Sequence, residues 1–186
     1  MMPTQLPQLV LVCCLALAVC AQAVAGEPAI QREIATERWA FQRDGRDWKL
    51  VTRQVGKQAS SHRYVLEGDS ADLWNEVIST DHYPANTSAD QHALAFVDEL
   101  QGRCHRLKVA HTSNGPNSII LEWEGDCRIS GKQQEIRRID VGPDGFDHLA
   151  YGAKAKFMTP EKQQTWRAIL RTARLKDTKF SSNRGE

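Results

Sequence analysis

The sequence predicts an α+β domain built on one antiparallel sheet of about six strands, with helices on one face. Three observations favour this fold class. Apolar and polar residues alternate along several short segments, and Asn114-Gly115 and the Gly-Pro-Asp-Gly sequence at 142–145 each separate two such segments as turns do. Apolar residues at helical spacing are confined to three stretches. The predicted order is two or three strands, two helices, four strands and a final helix.

The first elements are short strands. Strands are predicted over residues 38–41 and 48–55, and the Asp44-Gly45 pair between them predicts a hairpin turn. A further strand is predicted over 63–66. The next apolar residues recur at the spacing of a first helix; they are Leu73, Trp74, Val77 and Ile78.

The second helix has the clearest boundaries. Ser88 and Gln91 form a capping-box pattern at its start, and Gly102 marks its end. Its apolar stripe consists of Ala93, Phe96, Val97 and Leu100.

Four strands and a last helix complete the predicted domain. The strands are expected at residues 107–111, 119–124, 135–141 and 146–156. The helix begins at Thr159, followed by Pro160 in the first turn. Its buried face is expected to contain Trp166, Ile169, Leu170 and Ala173.

The composition is that of one ordinary globular domain. The chain has 186 residues, 24 Lys and Arg against 23 Asp and Glu, and 41% hydrophobic residues. These values exclude a collagen-like fibre, a disordered chain and a protein with many membrane spans. The near-zero net charge argues against a dedicated nucleic-acid binder, because such proteins carry a basic surface.

The N-terminus carries a predicted secretion signal. Residues 9–19 (LVLVCCLALAV) are an unbroken apolar run, and small residues follow at Ala21, Ala23 and Ala25. The run is too short for a membrane-spanning helix, which needs about 20 apolar residues. A buried N-terminal helix and lipid modification of a cysteine are the alternatives. We expect a signal peptide at 1–25, a single domain at 26–175 and a flexible basic tail at 176–186, with the mature protein periplasmic or secreted.

Two cysteines remain after removal of such a signal, Cys104 and Cys127. An even number of cysteines in an exported protein predicts a disulfide. On the chain-entropy model, closing this loop stabilises the fold by roughly 3 kcal/mol. The alternative is a Cys104 nucleophile with His105 as its base, which is disfavoured because neighbours on a strand point to opposite faces.

The sequence contains no established catalytic motif: Gly-x-Ser-x-Gly, P-loop, Gly-x-Gly-x-x-Gly and His-Glu-x-x-His patterns are all absent. Two Asp-His pairs, Asp81-His82 and Asp147-His148, together with His92, are the candidates for a small hydrolase or a metal site. They lack the spacing of known metal motifs, so we expect neither a metal nor a cofactor.

A pair of glutamates is the other catalytic candidate. Glu122 and Glu124 share one strand face, where one of them could act as an acid and the other as a base, as in a glycosidase. Carboxylates on the solvent face of a strand explain the same pattern, and we favour that interpretation.

Charge is distributed unevenly along the chain. From Lys154 to the end there are nine basic and three acidic residues. Arg167, Arg171 and Arg174 fall at i, i+4 and i+7 of the last helix and form a predicted basic stripe. Such a stripe fits an acidic protein partner or an anionic envelope component. A solvated helix end is the alternative interpretation.

An order of short motifs runs through residues 46–175. It comprises Leu66-Glu67-Gly68, Leu73-Trp74, a first Cys, Leu121-Glu122-Trp123, a second Cys, the charged strand at 135–139 and a Trp-bearing last helix. This order resembles that of small uncharacterised bacterial exported proteins and lipoproteins. The order of elements is also similar to PsbP-like domains, an analogy of fold that implies no function.

These observations favour a non-enzymatic periplasmic binding protein of inhibitor or immunity type. It would dock to another protein or an envelope component through Arg167, Arg171 and Arg174. The alternatives are a small secreted hydrolase that uses Asp and His residues, and a carrier of a small apolar ligand held between sheet and helices.

Overall fold

A computed structural model describes residues 33–56, 59–84 and 87–176. The predicted signal peptide lies outside these residues, as does all but the first residue of the predicted tail. In the described part, ten strands, two α-helices and one short 3-10 turn follow one another along the chain.

The elements have the following bounds. Strands β1 to β5 are Glu33–Ala35, Trp39–Gln42, Trp48–Val55, Ser60–Leu66 and Glu76–Tyr83. Helix α1 is Ala89–Arg103, and strands β6 to β9 are Cys104–Gly115, Ser118–Cys127, Gly131–Gly142 and Gly145–Lys154. The 3-10 turn Ala155–Phe157, helix α2 at Pro160–Thr172 and strand β10 at Arg174–Leu175 complete the described chain.

The strands form two antiparallel sheets. The main sheet has seven strands in the order β3-β4-β5-β9-β8-β7-β6, and the small sheet has the order β1-β2-β10. The α+β class is confirmed, while the main sheet is one strand larger than expected and a second sheet joins it. Strand β9 lies at the centre of the main sheet.

The two helices pack on opposite faces of the main sheet, so the prediction of helices on one face is wrong. Ile120 and Tyr151 belong to the core that α2 and the small sheet cover. Leu121 and Trp123 belong to a second core under α1. Because neighbouring strand residues point to opposite faces, β7 supplies apolar side chains to both cores.

The predicted first helix at residues 73–78 is also wrong, because β5 begins at Glu76. Ile78 and Thr80 are buried on one face of β5, whereas Val77 and Ser79 on the other face are only partly buried. A short apolar segment fits a helix or a strand equally well by spacing, and the β-branched residues here favour the strand. The observed order therefore has a fifth strand where a helix was expected.

The predicted hairpin at Asp44-Gly45 does not form. Strand β2 pairs with β1 and β10, and β3 pairs with β4, so the two segments lie in different sheets. The Asp44 carboxylate accepts hydrogen bonds from Arg46 Nε at 2.8 Å and Trp48 Nε1 at 3.0 Å. These bonds organise a connection between the sheets in place of a tight turn.

The predicted N-terminal caps of both helices are confirmed, whereas Gly102 lies inside α1, which ends at Arg103 with Cys104 as its C-cap. Ser88 and Gln91 form a complete capping box at the start of α1, and the Thr159 side chain accepts from Lys162 N at the start of α2. Neither helix in the described part of the chain combines the length and apolar character that crossing a membrane requires.

The α2 face has the larger core. Tyr151 and Trp166 stack with ring centroids 4.3 Å apart, and Trp48 lies edge-on to Trp166 at 5.8 Å. The buried Glu76 carboxylate closes this core, because it accepts bonds from Tyr151, from Lys162 Nζ at 2.6 Å and from Arg46 Nη1 at 2.7 Å.

Burial alone raises the pKa of Glu76, but hydrogen bonds from Lys162, Tyr151 and Arg46 outweigh burial and lower this pKa below its usual value. Because the folded-state pKa is lowered, this carboxylate stabilises the fold above the pKa of the unfolded chain. That stabilisation is lost as the pH falls through the folded-state pKa.

Cys104 lies directly opposite Cys127 in the register of β6 and β7, and their Sγ atoms are 1.97 Å apart. The pair therefore has the geometry of the predicted disulfide. It joins the C-terminal cap of α1 to the end of β7.

Gly145 offers a test of the close contact between β9 and the end of β5. At a φ of +138°, a Cβ at this position would overlap the backbone oxygen of Tyr83 and lie 2.9 Å from Pro84 Cα. Gly68 also has a positive φ, +91°, but nothing lies within 4 Å of an added Cβ there. We expect Gly145→Ala to lower the free energy of unfolding by about 3 kcal/mol or more. Gly68→Ala should cost only about 1–2 kcal/mol of backbone strain. Urea denaturation of both variants measures the difference, and equal losses would contradict the contact.

Candidate binding cleft

The α1 face of the main sheet is only partly covered. Helix α1 packs mainly over β6, β7 and β8. Between α1 and the open surface of β4, β5, β8 and β9 runs a cleft in two connected parts, with volumes of about 580 Å³ and 760 Å³. We call the two parts together the α1 cleft, the smaller one its inner part and the larger one its outer part.

The two parts meet at a junction whose side chains line both of them. Three of these residues are arginines, one is an aspartate and one is aromatic; they are Arg63, Arg103, Arg137, Asp81 and Phe96. Two of the three arginines are ion-paired, Arg137 with Glu135 and Arg103 with Glu99, so Arg63 and Asp81 are the charges of the junction that have no ion-pair partner among the described residues.

Arg137 is held on three sides at this junction. Its Nε donates to Glu135 Oε1 at 2.7 Å, and its Nη1 donates to His148 Nδ1 at 2.8 Å. The guanidinium also lies over the Phe96 ring, with Cζ 4.2 Å from the centroid. The Arg137 side chain is 11% exposed, and no described residue accepts a hydrogen bond from its Nη2. A fixed, largely buried cation that lines both parts of the cleft thus keeps N–H donor capacity at Nη2.

The contact with Arg137 determines the protonation of two histidines. An arginine only donates, so His148 Nδ1 is the acceptor and the ring proton lies on Nε2. That Nε2 donates to His92 Nε2 at 2.7 Å, which leaves the His92 proton on Nδ1. The chain of bonds from β8 through β9 to α1 therefore requires both rings to be neutral.

The electrostatics agree with this assignment. Burial, together with the charge of Arg137, lowers the pKa of His148 well below its usual value of 6.5, and a charge on His92 would lower it further. Burial and Arg137 also lower the pKa of His92. A proton on either ring would place a second cation beside Arg137 and break the chain of bonds.

Apolar side chains line the inner part of the cleft. They are Trp74, Val77, Leu100, Trp123 and Ile129. Ile129 at the rim is fully exposed, and Leu73 beside Trp74 is 76% exposed. An apolar rim around a polar junction is typical of surfaces that bind another molecule.

The predicted Asp-His pairs are split between the two faces of the sheet. His82 and Asp147 are cross-strand neighbours on the α2 face, with Nδ1 3.2 Å from Oδ1. The Asp147 carboxylate also accepts from Arg38 Nε at 2.7 Å and Nη2 at 2.5 Å. Asp81 and His148 are paired across strands on the α1 face. The structure therefore assembles neither sequence-adjacent pair as a unit.

The three arginines of the predicted basic stripe occupy different settings. Arg167 donates from Nε and Nη2 to Glu122, both at 2.6 Å, and Arg171 is exposed on α2. Helix α2 ends at Thr172, so Arg174 lies in β10, where its Nη2 donates to Glu33 at 2.9 Å. A single helical stripe of three residues is therefore wrong at Arg174. Their role in partner binding stays a prediction.

The other candidates also take part in ion pairs. Glu122 pairs with Arg167, and Glu124 pairs with Lys108 Nζ at 2.6 Å. Within residues 33–56, 59–84 and 87–176, no group of three or more His, Cys, Asp or Glu side chains is arranged to hold a metal ion.

Sequence reasoning missed Arg63, Arg137 and the polar role of Asp81. A signal for Arg137 was present: Arg137-Arg138 interrupts an apolar strand between Ile136 and Ile139. Charges inside such a strand need buried partners or a ligand. Arg138, on the opposite face, donates to the C-terminal carbonyls of α2, at 2.9 Å to Leu170 O and 2.8 Å to Ala173 O.

Comparison of the chain with protein-family models and with curated proteins finds no match. The resemblance to bacterial exported proteins and to PsbP-like domains therefore stays a prediction.

The neutral state of His148 predicts a pH dependence of stability. Between its folded-state pKa and about pH 6.5, the unfolded chain binds a proton at His148 that the folded protein excludes. Stability must therefore fall as the pH drops below 6.5, by on the order of 1 kcal/mol per pH unit.

We expect His148→Gln, whose amide oxygen can still accept from Arg137, to lose less stability than the wild type between pH 6.5 and 5.0. Urea denaturation at several pH values measures the two slopes. The difference in free energy of unfolding between the two proteins at pH 7.5, where histidine is neutral in both states, is the control for altered packing. Identical slopes would contradict a neutral, buried His148.

Proposed function

We propose that this protein is an exported, non-enzymatic binding protein that docks to a protein partner through the α1 cleft. The observation that carries the proposal is Arg137, a largely buried cation that lines the cleft, that Glu135 and His148 hold in place, and whose Nη2 has no acceptor among the described residues. Arginine and tryptophan dominate the energetics of protein interfaces when they lie in such partly closed settings.

The rim of the cleft supports a macromolecular partner. Ile129 and Leu73 are exposed apolar side chains beside Trp74, so a partner that covers the rim would remove apolar surface from water. Trp123 contributes a buried wall and is fixed by a bond from its Nε1 to Glu135 at 3.2 Å. A rigid aromatic wall loses little entropy when a partner binds.

The hydrolase alternative receives less support. His82 and Asp147 are in contact, but Arg38 occupies both oxygens of that carboxylate. His148 accepts from Arg137, so its Nδ1 already has a partner. The Asp and His residues thus act to hold arginines in place, which favours binding over catalysis.

The carrier alternative also fits less well. The junction presents Arg63, Asp81 and Arg137 to any ligand that fills both parts of the cleft. A wholly apolar ligand would remove these groups from water without replacing their hydrogen bonds, at a substantial cost in free energy.

Export is supported by the apolar run at residues 9–19 and by the disulfide geometry of Cys104 and Cys127. A small, disulfide-linked domain that docks to a protein fits an inhibitor or immunity role in the periplasm or outside the cell.

Affinity capture with matched variants tests docking through the cleft. Tagged full-length protein is used to retain partners from an extract of its native cells, and the retained proteins are identified and quantified. We expect Ile129→Asp to lower retention of a stoichiometric partner about tenfold or more, because it places a charge in the apolar rim. Leu94→Asp is the control, since Leu94 is an exposed apolar residue of α1 outside the cleft lining.

The triple variant Arg167→Ala, Arg171→Ala, Arg174→Ala tests the competing surface. If the triple variant loses the partner while Ile129→Asp retains it, docking through the α1 cleft is wrong and the basic residues form the interface.

A further inference from the structure

We propose that the α1 cleft binds the C-terminal end of an extended polypeptide whose last residue is apolar. This inference rests on the proposed docking function and specifies the part of the partner that enters the cleft. The carboxylate would lie at the junction, the last side chain in the inner part, and the preceding residues along the outer part toward solvent.

The junction offers arginine donors to an anion. Arg137 has a fixed orientation, and no described residue accepts from its Nη2, while Arg63 on β4 lines the same junction with an exposed side chain. Glu135 accepts from Nε, on the edge that Nε shares with one Nη2 hydrogen, so the donor left clear of both Glu135 and His148 is the other Nη2 hydrogen, at the end of the guanidinium. A carboxylate matches the planar guanidinium donors better than a neutral acceptor does.

Asp81 selects among carboxylate ligands. Its Oδ1 accepts from Ser61 Oγ at 2.7 Å, and the side chain is one of those that line both parts of the cleft. A polypeptide C-terminus presents a backbone N–H next to its carboxylate, so it can donate to Asp81 while it accepts from Arg137. A fatty acid has no such donor and would face the charge of Asp81 uncompensated. Asp81 therefore favours a peptide.

The inner part of the cleft accounts for an apolar last residue. Trp74, Val77, Leu100 and Trp123 line this part, whose volume of about 580 Å³ admits a Leu- or Phe-sized side chain. In this arrangement only the last few residues of the polypeptide contact the cleft, so short peptides are suitable probes.

Short synthetic peptides test the inference directly. N-acetylated tetrapeptides that end in Leu, Phe or Val are titrated into the full-length protein, and binding is followed by tryptophan fluorescence, since Trp74 and Trp123 line the inner part, and by calorimetry. We expect at least one free acid to bind and its C-terminal amide to bind about tenfold more weakly, as for the loss of a charged hydrogen bond. Dodecanoate is titrated in parallel.

Arg63→Ala is the informative variant, because removal of Arg137 would leave the largely buried Glu135 without its charged partner and could unfold the protein. We expect Arg63→Ala to weaken binding of the free-acid peptide several-fold and to leave binding of the amide peptide unchanged. Arg53→Ala is the matched control: Arg53 is an exposed arginine on the neighbouring strand that pairs with Glu37 on the opposite face. Circular dichroism verifies that both variants are folded.

Three results would overturn the inference. They are that no free-acid peptide binds, that a free acid and its amide bind equally well, or that dodecanoate displaces the peptides and binds at least as tightly as they do. If no peptide binds but Ile129→Asp still loses the captured partner, docking through the cleft stands and only the C-terminal assignment fails. If the free acids bind and capture does not depend on Ile129, the proposed docking function fails instead.

Discussion

Strand β9 is buried on both faces along all but its last residue, and the placement of the polar groups depends on this constraint. A polar side chain on such a strand has no access to bulk water and must find its partner on a neighbouring element. Asp147 and His148 are adjacent in sequence, so the pleat directs them to opposite faces. Asp147 binds Arg38, and His148 binds Arg137. The central strand thus fixes one arginine on each face of the sheet.

The two arginines differ in how fully carboxylates and other acceptors use their N–H donors. Arg38 donates to two carboxylates, those of Asp147 and Asp144, through Nε and both Nη groups. These bonds raise the pKa of Arg38, and the bond from Arg38 lowers the pKa of Asp144. This network is closed and ties the residue that precedes β2 to β9 and to the turn before β9. In the part of the chain that the structure describes, Arg137 donates at Nε and Nη1, and no acceptor meets its Nη2, while the side chain lines a cleft. A closed network supports the fold, whereas an open one at a cleft is suited to binding.

Features that depend on local sequence could be predicted, and features that depend on distant partners could not. The capping box at Ser88 and the pairing of Cys104 with Cys127 follow from nearby or sparse residues, and the structure agrees with both. The prediction that both helices lie on one face is wrong, although the unbroken apolar run at 119–121 in β7 indicates burial on two faces. The candidate site was missed because Arg137 acquires its role from His148 and α1, elements whose proximity only the fold creates. The apolar residues at 73–78 fit a helix or a strand equally well by their spacing, and only the pairing of β5 with β4 and β9 decides for the strand.

The dimensions of the sheet explain why a cleft exists at all. Seven strands at about 4.8 Å spacing span about 29 Å, whereas one helix covers about 10 Å. The α2 face is covered by a helix and a second sheet, but the α1 face has one helix, so part of it remains open. The wall of the cleft is fixed near both ends, since the Cys104–Cys127 pair joins the end of α1 to β7 and His92 joins its first turns to β9. A cleft whose wall and floor are joined in this way keeps its width before a partner arrives, and binding to it loses little conformational entropy.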